Sequence, residues 1–218
     1  MKKDNLSGAD YLRTFDRVSR MKIDRNANDR DDSLEVSITL GVDAAFAGIE
    51  DDSLLYHTFG IFQEDTPIPQ QTILQLWQRL RSDVDEFDLL EMLSALVDLA
   101  LVDRHEDRTI TLHDLLHSYT REKLGDRYVQ THQDLLDSYQ AEQWHELSPD
   151  EPYLWWRIVY HLTEAEHADT LRDLLLDADF LQAKLNATDP STLITDYDYL
   201  PDDSAVRLVQ SAIRMSSH

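Results

Sequence analysis

The sequence contains no cysteine, which excludes disulfides, thiolate metal ligands and every cysteine nucleophile. It has six prolines and only five glycines, at positions 8, 41, 48, 60 and 125. So few chain breakers suit a helical protein better than a turn-rich β architecture. None of the glycines forms a G-x-x-x-x-G-K or G-x-G-x-x-G pattern, so the chain lacks a loop of its own for cradling nucleotide phosphates. A G-x-S-x-G elbow is also missing, and no enzymatic activity is expected of this chain. No apolar run approaches membrane-spanning length, and the opening MKKDNLSGADYL lacks the apolar stretch of an export signal, so the expected location is the cytoplasm. Basic residues are scarce as well: 20 Lys and Arg stand against 43 Asp and Glu, a formal net charge of −23. Such a surface repels nucleic acid and anionic membrane, which leaves protein as the expected class of partner.

What is present is enough for a folded core. The 218 residues are 42% hydrophobic, sufficient for one larger domain or two small ones. In SLEVSITLGVDAAFAGIEDD, the residues Leu34, Val36, Ile38, Leu40 and Val42 alternate as in a strand, while Leu34, Ile38, Gly41, Val42 and Ala45 form a helical stripe. DDSLLYHTFGIF reads as a short buried helix, and EDTPIPQQTILQLW as a proline-interrupted loop entering another. DVDEFDLLEMLSALVDLALV offers a broad apolar helical face of Val84, Phe87, Leu90, Met92, Leu93, Leu96 and Val97. Leu99 and Leu101 then lead through DRHEDR, with a tip at His105, Glu106 and Asp107, to the alternating Ile110 and Leu112. Three helices followed by a two-strand hairpin is the order of a winged helix-turn-helix domain.

Beyond residue 120 the periodicity is helical throughout. Tyr128, Leu135, Leu136 and Tyr139 share one spacing, and SPDEPYLWWRIVYHL offers an entry signal in which Ser148 caps, Pro149 takes the first helical position and Glu151 sits three residues on. HADTLRDLLLDADFLQAKLNA, DPSTLITDYDYL with Pro190 just inside, and DDSAVRLVQSAIRM supply further amphipathic helices. The expected class is therefore mainly α: a winged helix-turn-helix domain with a three-helix core and a small β-hairpin wing, followed by an antiparallel helical domain.

The chain carries nine histidines. His113 and His117 are four apart on one helical face, but two ligands do not close a zinc site and no H-E-x-x-H is present, so no metal is expected. His161 and His167, six apart, read as a partly exposed pair flanking a loop. DNA recognition would need basic side chains on the groove-entering helix, and that segment carries Asp83, Asp85, Glu86, Asp88 and Glu91.

TITLHDLLHSYTREKL becomes specific through its neighbours. A winged helix whose last strand runs into Leu112, His113 and Asp114, followed by HELSPDEPYLWWRIVYHL with its aromatic group Tyr153, Trp155 and Trp156, resembles the NB-ARC (STAND-class) signalling ATPases, in their apoptosis-regulating branch. The likeness runs from about residue 33 to about 200. It implies that 1–32, with ADYLRTFDRVSRM, ends a preceding helical subdomain and linker, that 33–125 is the winged-helix domain and that 126–218 is the helical domain. It also implies a helix at 34–42.

In that family the histidine of this motif reaches the β-phosphate of ADP and locks the winged helix against a nucleotide-binding domain. The resemblance therefore implies that His113 is the ADP contact once that domain is present, with Leu112 and Asp114 in support. A helix start suits such a role, because unpaired N–H groups and the helix dipole favour an anion there. The implied cofactor is ADP or ATP in the longer protein, with none for this chain alone. The implied partners are the nucleotide-binding domain of the same protein, a repeat domain downstream, and further copies on activation. Two other readings compete: an acidic helical interaction module that senses no nucleotide and would bind through Trp155, Trp156 or surface acid, and a winged-helix DNA-binding regulator.

Overall fold

A computed structural model describes residues 36–42 and 53–216 of the chain. The expected helix within ADYLRTFDRVSRM, and the residues Leu34 and Ala45, lie outside the described residues. Residues 36–42 are helical (α1). Ser37, Ile38, Gly41 and Val42 are buried there while Val36 and Leu40 are exposed, a 3.6-residue periodicity that no strand could give.

The described elements continue with α2 (Ser53–His57), a 3-10 turn (Thr58–Ile61), β1 (Ile68–Pro69), α3 (Gln70–Leu80), α4 (Glu86–Asp98), β2 (Asp103–Arg104), β3 (Thr109–Thr111) and α5 (Asp114–Leu124). After these come α6 (Tyr128–Ser138), α7 (Pro152–Glu164), α8 (Ala168–Leu176), α9 (Ala178–Ala187), α10 (Pro190–Asp196) and α11 (Ser204–Ser216). The protein is thus mainly helical with one small sheet, a winged-helix order followed by a helical array. Among the described residues no helix is long and apolar enough to cross a membrane.

Two compact units are present. One takes in the described residues of Met1–Leu74 together with Asp83–Gly125, the other Gln75–Ser82 with those of Asp126–His218. Relative to a division into 33–125 and 126–218, the segment Gln75–Ser82 has changed sides. Its polar contacts explain why: the Gln75 amide donates to Glu151 at 3.4 Å, and the Arg79 guanidinium donates to Asp137 at 3.1 Å.

In the first unit α4 starts with a reciprocal capping box. The Asp85 carboxylate accepts from the Asp88 N–H at 2.9 Å, and the Asp88 carboxylate accepts from the Asp85 N–H at 3.0 Å. Asp85→Ala should therefore lower the urea midpoint of this unit, corresponding to about 1 kcal/mol; an unchanged midpoint would show that the box contributes nothing. The helix buries Leu89, Met92, Leu93 and Leu96. The expected face was wider than the real one, since Phe87 is 72% exposed and Leu90 lies at the rim. Periodicity identifies which side of a helix is apolar without saying how much of that side a neighbour covers.

The expected hairpin of β2 and β3 is present, and among the described residues a third strand, β1, extends its sheet. β3 pairs antiparallel with β2 on one side and with β1 on the other, in the order β1-β3-β2, with Ile110 opposite both Arg104 and Ile68. The proline-rich entry to α3 thus supplies the additional edge strand, the position where a residue without an N–H is tolerated.

The second unit buries a core of Leu136, Leu154, Trp155, Ile158, Leu162, Leu175, Phe180, Leu193, Tyr197 and Val206. Trp155 stacks on Phe180 at 6.0 Å and donates its indole N–H to the Ser148 carbonyl at 3.0 Å. α7 begins at Pro152, three residues later than expected, and Ser148 instead turns the chain by accepting from the Asp150 N–H at 3.2 Å. The reason is the second proline: it disfavours helical backbone at Glu151, so a helix started at Pro149 could not run through. Pro190 opens α10 as read from the sequence, under an Asp189 carboxylate that accepts from Ser191 and Thr192 N–H groups.

Among the described residues α4, α6 and α7 are each followed by a left-handed residue other than glycine, and at α4 and α7 that residue closes the helix. After α4, Ala100 (φ 55°) lets the Leu101 N–H reach the Leu96 carbonyl at 2.9 Å. After α7, Glu166 (φ 59°) lets the His167 N–H reach the Leu162 carbonyl at 2.9 Å. Both are Schellman-type closures, which ordinarily use glycine.

Candidate functional site

The region around His113 is built by the wing. Its tip is His105–Arg108, where the His105 N–H donates to the Thr109 carbonyl at 2.9 Å and the Arg108 N–H to the His105 carbonyl at 3.2 Å. Asp107 accepts from both the N–H and the hydroxyl of Thr109, at 3.1 and 2.7 Å, and the hydroxyl bond above all lowers its carboxyl pKa. This turn fixes the hairpin register, placing Asp103 opposite Thr111.

Leu112 then leaves the sheet into the core, 7% exposed. His113 follows as the N-cap of α5, with extended backbone (φ −71°, ψ 148°) and a carbonyl that accepts from Leu116 and His117 N–H groups at 2.9 and 3.0 Å. Its ring makes no cap bond; instead Nε2 stands 3.0 Å from the Asp103 carboxylate, with 74% of the side chain exposed. Asp114 is exposed in the first turn, where a carboxylate suits the helix dipole, and Leu115 beside it is exposed as well. The three motif residues are therefore adjacent but unlike: one anchors the strand end, one presents an imidazole, one charges the helix start.

Asp103 is a member of this group that sequence reading missed. The signal was available in principle, since a four-residue loop between β2 and β3 puts Asp103 across from Thr111 and so within reach of His113. His117, four residues on, faces the other way. It is buried, donates Nε2–H to the Phe62 carbonyl, and has Nδ1 3.4 Å from Glu64, so it shares no site with His113. Among the described residues no three His, Asp or Glu side chains are grouped to hold a metal.

The helix that would enter a DNA groove presents Asp85, Glu86 and Glu91 to solvent around Phe87. Arg104 of the wing is turned back onto that same helix, donating to the Ser94 hydroxyl at 3.2 Å. This surface is acidic and apolar, the opposite of what a phosphate backbone attracts.

In the second unit, Tyr153 and Trp155 are core residues and Trp156 is exposed. His161 corrects an expectation. It is fully buried instead of sitting with His167 at a loop, because its partners lie within α7 and across on α6.

The fold thus defines a winged-helix unit with an exposed histidine at its last helix start, continuing into a helical array. The particular likeness lies in that array: residues 128–202 match the family described as the APAF-1 helical domain. The chain is similar to apoptotic protease-activating factor 1 of Homo sapiens, with 24% identity over 194 residues, which cover 86% of this chain and 15% of that protein. The proteins of the same name from Mus musculus and Rattus norvegicus match at the same identity and coverage. This chain therefore resembles the helical-domain region of APAF-1 and spans 15% of the length of these relatives.

Proposed function

We propose that this chain is the winged-helix and helical regulatory region of a cytoplasmic NB-ARC-type switch protein. Its role is to couple the ADP or ATP state of a nucleotide-binding domain in the same protein to autoinhibition and assembly. The observation that carries this reading is His113: an exposed imidazole, free of any cap bond, at a helix N-terminus in a chain whose next segment matches the APAF-1 helical domain. The residues fit a supporting role toward a nucleotide and no more. His113 supplies one N–H donor at an anion-favouring helix start, while Asp103 and Asp114 close by make the chain unable to hold a polyphosphate by itself. ADP, when bound by the neighbouring domain, supplies the anionic phosphate that His113 would meet.

Asp103 and a phosphate are then alternatives for the same imidazole. Closing the switch means exchanging the 3.0 Å contact to Asp103 for one to phosphate, and opening it means the reverse. A charge-assisted hydrogen bond of roughly 1.5–3 kcal/mol shifts such an equilibrium about ten- to a hundredfold. In a protein that includes the nucleotide-binding domain, His113→Ala should speed the release of a fluorescent ADP analogue by roughly tenfold or more, and Asp103→Asn should slow it. Release unchanged by His113→Ala would remove His113 from the switch.

A second reading, an acidic protein-interaction module, is favoured by Phe87 and Trp156, whose large apolar side chains are exposed at 72% and 44%. Trp155 does not support it, being packed against Phe180. Under that reading Phe87→Ala or Trp156→Ala would weaken binding to a basic partner, and His113 would be indifferent.

A further inference from the structure

The second unit holds a buried cluster of ionisable groups that the switch reading does not use. His132 of α6 and His161 of α7 are both fully buried, and their Nδ1 atoms lie 2.8 Å apart. The Nε2 of His161 is 2.8 Å from the Tyr153 hydroxyl. Tyr128 and Tyr160 meet His132 edge-on, with ring centroids at 4.6 and 5.5 Å, and the Tyr128 hydroxyl donates to Glu164 at 2.8 Å.

A bond between two Nδ1 atoms needs one N–H and one lone pair. The neutral pair provides both when the rings take opposite tautomers, and His161 Nε2 can then accept from or donate to Tyr153. With both rings protonated, two N–H donors and two positive charges face each other at 2.8 Å away from water, and the bond is lost.

The surroundings oppose charge further. From α6 the pair is faced by Tyr128; from α7 by Tyr153, Arg157, Tyr160 and Glu164; Tyr139, just beyond α6, acts on Tyr153. On the other helices packed against α7, Lys184 of α9 and Asp196 of α10 are paired with each other and also feel Arg157. Burial first, then His132, then Arg157 hold His161 well below the ordinary histidine value. The Glu164 carboxylate accepts from the Tyr128 hydroxyl.

We infer that the His132–His161 pair is an acid-operated clamp: at neutral pH it fastens α6 to α7, and double protonation on acidification releases α6. The closed form cannot keep the bond with both protons bound, whereas the open form binds two at sites of ordinary value near 6.5. The open population should therefore rise by up to about 100-fold per pH unit below about pH 6. Opening would carry Leu135 and Leu136 of α6 out of the core. The clamp belongs to the segment matching the APAF-1 helical domain and stands independently of any role for His113.

Site-resolved amide hydrogen exchange on the whole 218-residue chain between pH 7.5 and 5, corrected for the intrinsic rate, tests this directly. Opening of residues 131–136 is expected to steepen to more than tenfold per pH unit below pH 6, and His132→Gln should cut that to tenfold or less. Other buried groups also respond to acid and make a whole-protein melting curve insufficient. His57, in the other unit, is held near pKa 4 by burial and Lys123, so acid also loosens that unit. Asp196, raised to about 6 by burial, works in the opposite direction. If His132→Gln fails to fold, nitrogen-15 shifts of the native imidazoles replace it: both rings must become imidazolium in the step that opens α6. Exchange in α6 that is flat with pH, a slope unchanged by His132→Gln, or imidazoles that charge without opening α6 would each overturn the clamp.

Discussion

Gly60→Ala is expected to destabilise the winged-helix unit by roughly 3 kcal/mol, more than an ordinary surface glycine change. Gly60 lies in the 3-10 turn that packs on α5, and a Cβ there would come 2.4 Å from the Arg121 backbone nitrogen, 2.6 Å from its Cα and 2.7 Å from the Thr120 carbonyl carbon. All three are backbone atoms, so no side chain can swing aside; the turn or the helix has to move. Because α5 begins at His113, the same shift would displace the imidazole from Asp103. Urea denaturation followed by the tertiary signal of this unit measures the effect. A loss below about 0.5 kcal/mol would show that the two backbones are not held together as described.

Lys184→Met is expected to be as costly, about 3–5 kcal/mol at pH 7, because it leaves one half of a buried ion pair. Lys184 and Asp196 are both buried and in direct contact, and the ammonium also lies 5.9 Å from the Phe180 ring. Burial lowers the lysine pKa and raises that of Asp196 to about 6, each against the attraction of the other. Removing the ammonium raises the carboxyl further. An acid whose folded pKa exceeds its unfolded one binds more protons when folded, so the variant's loss relative to the native chain should be smallest at low pH and grow as pH rises toward its new folded pKa. Thermal melts of the variant and the native chain side by side at pH 4, 5.5 and 7 would display that difference. The double variant Lys184→Met, Asp196→Leu should recover most of the loss, since no unpaired charge remains. A single variant with native stability at pH 7, or a double variant no better than the single, would contradict this account.

How much of this was legible depended on whether the information was local. The run at 34–42 was ambiguous by periodicity and only the resemblance implied the helix that residues 36–42 form, whereas Pro190 marked a helix start by its own chemistry. The wing tip also followed from alternation and a short charged turn. Where two local signals competed, the wrong one was chosen: Pro149 and Pro152 both suit a first turn, and only the conflict at Glu151 decides between them. β1 was missed because two residues have no periodicity, and their strand character exists only through pairing with Thr109 and Ile110. His161 was misread for the same reason. Its neighbour in sequence is His167, but its partner His132 lies 29 positions away on another helix. The Leu112, His113 and Asp114 group was found as a motif, while Asp103, which engages the histidine, required the hairpin register.

The corners at Ala100 and Glu166 bear on a part of the folding equilibrium that lies outside the native fold. A left-handed residue with a Cβ strains the native state by roughly 1–2 kcal/mol. Glycine would relieve that strain, yet it would also widen the range of conformations open to the denatured chain, an opposing effect of roughly 0.5–1 kcal/mol. By closing these helices without glycine, the protein keeps its denatured ensemble narrow and accepts tension at the turns. Much of the tension is cancelled by freedom the disordered chain never had.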